Sequence, residues 1–106
     1  MLDVKDWLKT IGLPVANTAF KKAVPLPFIV FTEEDNASGS DELICIHDRG
    51  ITVEFYSNNI DKNNEKLVEN LLTGKGIKYI KNRTWIDEDK FFMTTYDFNL
   101  HEKGEI

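Results

Sequence analysis

Four groups of side chains in this 106-residue chain could do chemistry. Glu33, Glu34, Asp35, Asp41 and Glu42 sit in "FTEEDNASGSDEL", a stretch that could ligate a cation. Cys45 and His47 lie two residues apart, the spacing of a thiol and a base on one strand face. Lys75, Lys78, Lys81 and Arg83 surround Tyr79 in "TGKGIKYIKNR", a basic aromatic stretch that could hold phosphate or single-stranded nucleic acid. Asp87, Glu88 and Asp89 crowd three carboxylates into "WIDEDK".

None of these completes a catalytic or metal-binding pattern. An EF-hand frame with Gly39 at position 6 puts Glu34 first and Cys45 at position 12, where a bidentate Glu is required. The sequence around Cys45 has no strand-to-helix elbow and no third orienting group. One Cys with two His, His47 and His101, supplies zinc poorly. Cys45 therefore reads as a small buried apolar residue that Ala or Val can replace. The basic stretch lacks P-loop spacing, and such lysines commonly guard an exposed sheet edge. Adjacent carboxylates in a turn are solvated unless a cleft shifts their pKa values. Residues alone thus point to an α+β domain with no catalysis and no metal.

The elements that carry these residues follow from periodicity. Asp3 can cap a short helix with Val4, Leu8 and Ile11 on one stripe, stopped by Gly12 and Pro14. "VANTAF" is short and could be extended. "PFIVF" (27–31) is a strand that begins at its prolines. The acidic stretch 33–41 then reads as a flexible loop without metal, long for a hairpin. "ELICIH" (42–47) and "ITVEFYS" (51–57) flank "DRG". They are one strand bulged at Gly50 or two strands around a tight turn. A second helix spans 60–76, capped by Asp61, with Leu67, Val68, Leu71 and Leu72 buried and Gly74 at its C-terminal cap. "IKYI" (77–80) and "TWI" (84–86) are short strands. "KFFMTTYDFNL" (90–100) is the last, with Phe92, Tyr96, Phe98 and Leu100 on one face. The order α-β-β-β-α-β-β predicts an α+β domain over 1–106: a single antiparallel or mixed sheet with two helices packed on it.

Composition agrees with a globular domain: 42% hydrophobic, 29% charged and one cysteine, so no internal disulfide. The start lacks a signal-peptide core, and no stretch approaches the roughly 20 apolar residues of a membrane span. The net charge of −5 is unevenly spread, from +2 over residues 1–25 to −6 over 26–55. Such a chain is a poor binder of DNA.

Three stretches carry a family resemblance. They are "VPLPFIVFTEEDN", "ITVEFYSNNIDKNNEKLVENLL" and "TWIDEDKFFMTTYDFNL", in that order over most of residues 18–100. Together they resemble small tail-terminator (tail-completion, head–tail joining) proteins of long-tailed phages and prophages of Gram-positive bacteria. The resemblance implies an α+β fold and assembly as a ring, commonly a hexamer, from a subunit that can be monomeric when free. The ring would cap the tail tube and meet the head-side connector, so tail-tube and connector proteins are the implied partners. It implies no catalysis and no cofactor. Assembly in the host cytoplasm and residence at the head-proximal end of the virion tail follow from it. The interface candidates are the acidic set Glu33, Glu34, Asp35, Asp41 and Glu42 and the basic set Lys75, Lys78, Lys81 and Arg83. A free-standing regulatory or binding adaptor on a similar scaffold is the alternative, because fold alone does not carry function.

Overall fold

The structure, a computed structural model, describes residues 2–38 and 44–105. Its elements are α1 (Val4–Lys9), β1 (Val15–Asn17), β2 (Phe28–Ser38), β3 (Ile44–Ser57), α2 (Lys62–Gly74), β4 (Ile80–Ile86) and β5 (Phe91–Glu105). The strands form one five-stranded sheet in the order β1-β2-β3-β5-β4. β1 runs parallel to β2, and every other pair is antiparallel. The fold is therefore α+β with a mixed sheet, as the order of elements predicts.

Alternation along the strands decides which face is buried. Ile29 and Phe31 of β2, Ile51, Val53 and Phe55 of β3, and Tyr96 and Phe98 of β5 share one face. Val4 and Leu8 of α1 and Val68 and Leu72 of α2 close over them. Each such side chain contributes roughly 1.5–3 kcal/mol through burial. Trp7 meets Phe98 edge-on at 6.2 Å. On the opposite face, Phe20, Phe28, Tyr56 and Phe91 form a chain of ring contacts at 5.1–5.3 Å. Residues 18–24 lie over that aromatic end.

Both helix starts follow the sequence. Asp3 Oδ1 accepts from the Asp6 amide at 3.1 Å, and Asp61 Oδ1 from the Asn64 amide at 3.0 Å. The end of α2 differs from expectation. Gly74 is still helical, and Gly76, at φ 67°, takes the left-handed position that favours glycine. The stripe differs too. Leu67 is 43% exposed, while Glu65 is buried at 1%.

"VAN", which could be extended, is strand and pairs in parallel with β2. Three other strand expectations are corrected. "IKYI" and "TWI" are not separate strands, because β4 runs unbroken from Ile80 to Ile86. Asp48, Arg49 and Gly50 neither bulge nor turn. Pairing continues without a slip from Phe28↔Tyr56 to Ser38↔Ile46. Consequently Glu33, Glu34 and Asp35 are strand residues, and the flexible-loop reading fails for 33–38. Residues 39–43, with Asp41 and Glu42, lie outside the described residues.

Acids are poor strand formers, which is why the sequence reads as a loop there. The ladder overrides that preference, and a counter-charge supports it. Arg49 is buried, donates from Nε to Glu33 Oε1, and donates from Nη1 to the Leu2 carbonyl at 2.9 Å. Beyond β1 and β4 the sheet thus continues as a three-stranded arm of β2, β3 and β5.

The arm generates a prediction. NMR secondary shifts over 33–38 and 44–48 will be those of extended strand, with order parameters near 0.85. Coil shifts with values below about 0.6 in this segment would refute the arm.

Candidate interaction surfaces

The basic stretch divides into two parts. Lys81 and Arg83 stand on β4 opposite Tyr96 and Thr94 of β5, on the helix side of the sheet. There they meet α2. Arg83 donates to Glu65 from Nε at 2.8 Å and from Nη2 at 2.5 Å. Lys81 donates to Glu65 at 3.1 Å and to Glu69 at 2.8 Å. The Thr94 hydroxyl donates to Glu65 at 2.7 Å, and the Tyr96 hydroxyl to Glu69 at 2.9 Å. Lys75 and Lys78 stay exposed between α2 and β4. The Lys75 ammonium lies 5.9 Å from the Trp7 ring centre.

Electrostatics explain why a glutamate can occupy a core position. Burial alone would raise the Glu65 carboxyl. The hydrogen bonds from Arg83, Thr94 and Lys81, with the Lys81 charge, outweigh that and hold it at about 2. Burial pulls Lys81 down, but its bonds to Glu69 and Glu65 leave it above its ordinary value. The Tyr96 phenol is pushed above its ordinary value by burial and by Glu69. Sequence reasoning missed Glu65. Its one available signal was spacing: Glu65, Val68 and Leu72 stand at i, i+3 and i+7, on the core stripe.

The acidic residues also divide. Glu33 pairs with buried Arg49, whereas Glu34 is exposed on the opposite sheet face. Asp35 stands opposite Arg49 in register. The open sheet face carries a shallow groove of about 490 Å³. Two rows across the strands line it: Thr32–Thr52–Asp97–Ile80 and Glu34–Gly50–Asn99. Thr52 donates to Asp97 at 2.6 Å.

The remaining candidates gather into no site among the described residues. Cys45 pairs in register with Gly104 and His47 with Glu102, and their side chains lie outside the described residues. His101 Nδ1 lies 3.5 Å from Asp48 Oδ1 in an exposed pair. Asp87, Glu88 and Asp89 form the exposed β4–β5 turn, as the sequence predicts. Asp87 there accepts from Lys90 at 2.9 Å and from the Trp85 ring nitrogen at 3.3 Å. Among the described residues, no three His, Cys, Asp or Glu gather as metal ligands. No helix among them is long and apolar enough to cross a membrane.

Glu65 sets an acid dependence of stability. Its folded pKa is below its unfolded one, so its stabilisation is complete above about pH 4.5 and lost as pH falls towards 2. Glu65→Gln will cost roughly 2–4 kcal/mol at pH 7, below the roughly 3–5 kcal/mol of breaking a fully buried ion pair because Lys81 and Arg83 are partly exposed. The gap will narrow as pH falls towards 2 and close below it, where the native carboxyl is also neutral. Urea unfolding across this range checks it; a pH-independent gap would show that Glu65 does not titrate as described.

No protein-family model matches this chain, and no curated protein sequence matches it. Solved structures do. A chain in the virion of a native gene transfer agent particle superposes with a TM-score of 0.61. It is 9% identical, over 92% of this chain and 84% of that one. A second solved chain aligns over 97% of this chain and 87% of its own, with a TM-score of 0.56 and 14% identity. At these identities the likeness is one of fold.

Proposed function

We propose that this chain is a structural protein of a phage-type virion, acting as an oligomeric ring that terminates the tail tube and joins it to the head-side connector. The observation that carries the reading is the fold shared with a gene transfer agent virion chain over 92% of this one. The three stretches between residues 18 and 100 that resemble tail terminators support it independently. Its partners are then further copies of itself, the tail-tube protein and the connector, and its work is binding without catalysis or cofactor.

The geometry suits such work. The core anchors one end of an elongated molecule of 50 × 29 × 23 Å, and the three-stranded arm reaches away from the helices. The boundary with a neighbour draws on Glu33, Glu34, Asp35, Asp41 and Glu42 on one side and Lys75, Lys78, Lys81 and Arg83 on the other. Internal pairing of Lys81 and Arg83 leaves Lys75 and Lys78 as the freer steering charges. Exposed pairs of this kind give about 0–1 kcal/mol each and set orientation and encounter more than affinity.

Two experiments test this. Electron microscopy of particles made without this gene will show overlong tails; tails of normal length, joined to heads, would overturn the proposal. Lys75→Glu with Lys78→Glu will slow joining and leave the fold intact, since neither lysine belongs to the Glu65 cluster. Unchanged joining would remove these two lysines from the boundary.

A further inference from the structure

Among the described residues two strand edges are open, β4 without a guard of its own and β2 guarded by its acids alone. β4 closes one side of the sheet and, among the described residues, pairs with β5 alone. On the other side β1 covers β2 at Ile29–Phe31, and among the described residues 32–38 have no sheet neighbour beyond them. Proteins usually protect such edges with proline, a bulge, or charges that stand in the way. Neither stretch, "IKNRTWI" or "TEEDNAS", holds a proline or glycine, and both ladders run without a bulge. The two bases that would guard β4 are instead folded onto α2. Ile80 and Trp85, near its two ends, are left 67% and 43% exposed.

The two edges also fit each other. Each is seven residues long. The β2 stretch carries three acids and β4 none, so joining them sets no acid against an acid, although Lys81, Arg83 and Glu33 already have partners within the subunit. They belong to opposite sides of one sheet, so joining them repeats a head-to-tail contact, the kind that closes rings.

Resting on the ring reading above, we propose that the free edge of β4 pairs with residues 32–38 of β2 in a second copy of this chain, extending the sheet across the subunit boundary. Main-chain hydrogen bonds supply the contact, as in other strand additions. In the antiparallel alignment centred on both stretches, Arg83 stands opposite Asp35 and Thr84 opposite Glu34. Arg83 lies on the helix side of β4, and odd positions of β2 occupy the helix side of their strand. The alignment therefore keeps the same face of the sheet buried in both copies.

Disulfide trapping tests this in a Cys45→Ala background whose folding is first checked by circular dichroism. Glu34 and Thr84 are both exposed and lie outside the Glu65 and Arg49 clusters. The double variant Glu34→Cys/Thr84→Cys, mildly oxidised in assembled particles and as concentrated protein, will give a ladder of linked copies. Neither single variant will pass beyond a dimer. A control pair on the helix layer, Asp6→Cys/Lys66→Cys, will give no ladder. Absence of the double-variant ladder in both samples, an equal ladder from the control, or trapping of Thr84→Cys to a different virion protein would each overturn the contact. The tail-length phenotype of particles lacking the gene does not depend on which edges meet. A missing ladder alongside overlong tails would thus sink the contact and leave the ring reading standing.

Discussion

The rest of the structure depends on the unbroken hydrogen-bonded pairing of β3 with a neighbour on each side. All fourteen residues from Ile44 to Ser57 pair with β5, and eleven positions of β2 pair on the other flank. Because side chains alternate, this register decides that Ile51, Val53 and Phe55 enter the core and Thr52 and Glu54 do not. A slip of one residue would exchange the two sets. Helices α1 and α2 can pack only on the face that the register makes apolar.

Two polar clusters work within that frame. Arg49 is buried where the core gives way to the arm, and it ties β3 to Glu33 of β2 and to the backbone at Leu2. Glu65 does the corresponding work at the opposite side, holding α2 to the outermost strand. Buried charges are costly unless paired and fully hydrogen-bonded, so they stabilise one arrangement and penalise others. Among the described residues no buried polar side-chain atom lacks a hydrogen-bond partner. The same pairing has a surface consequence. By drawing Lys81 and Arg83 onto α2, the cluster leaves the main chain of β4 open.

Seen this way, the molecule divides its labour. Helices and core make a stable body on one side of the sheet. The arm and the uncovered strand edges present backbone groups and charge outward. The role proposed above would need that division more than a pocket with convergent chemistry. The groove on the open face, floored at Gly50 and lined by Thr32, Thr52, Asp97 and Asn99, is a sheet surface with no deep enclosure.

Local signals in the sequence determined much of this. Asp3 and Asp61 mark both helix starts, the prolines mark the beginning of β2, and alternation in "ITVEFYS" and "TTYDFNL" identifies the core face correctly. These features depend on neighbours within a few residues, where spacing and side-chain type suffice. The class of fold followed from the order of elements. Tertiary structure decided the features set by distant partners. Glu33 to Ser38 are strand because β3 offers a ladder and Arg49 a counter-charge, neither visible in the local composition. Glu65 is a core residue because Arg83, Lys81 and Thr94, 16 to 29 residues away, converge on it. The basic stretch reads as one patch, but α2 takes two of its charges and leaves two outside. Long-range pairing energy, which no local window contains, outweighed propensity at each of these places.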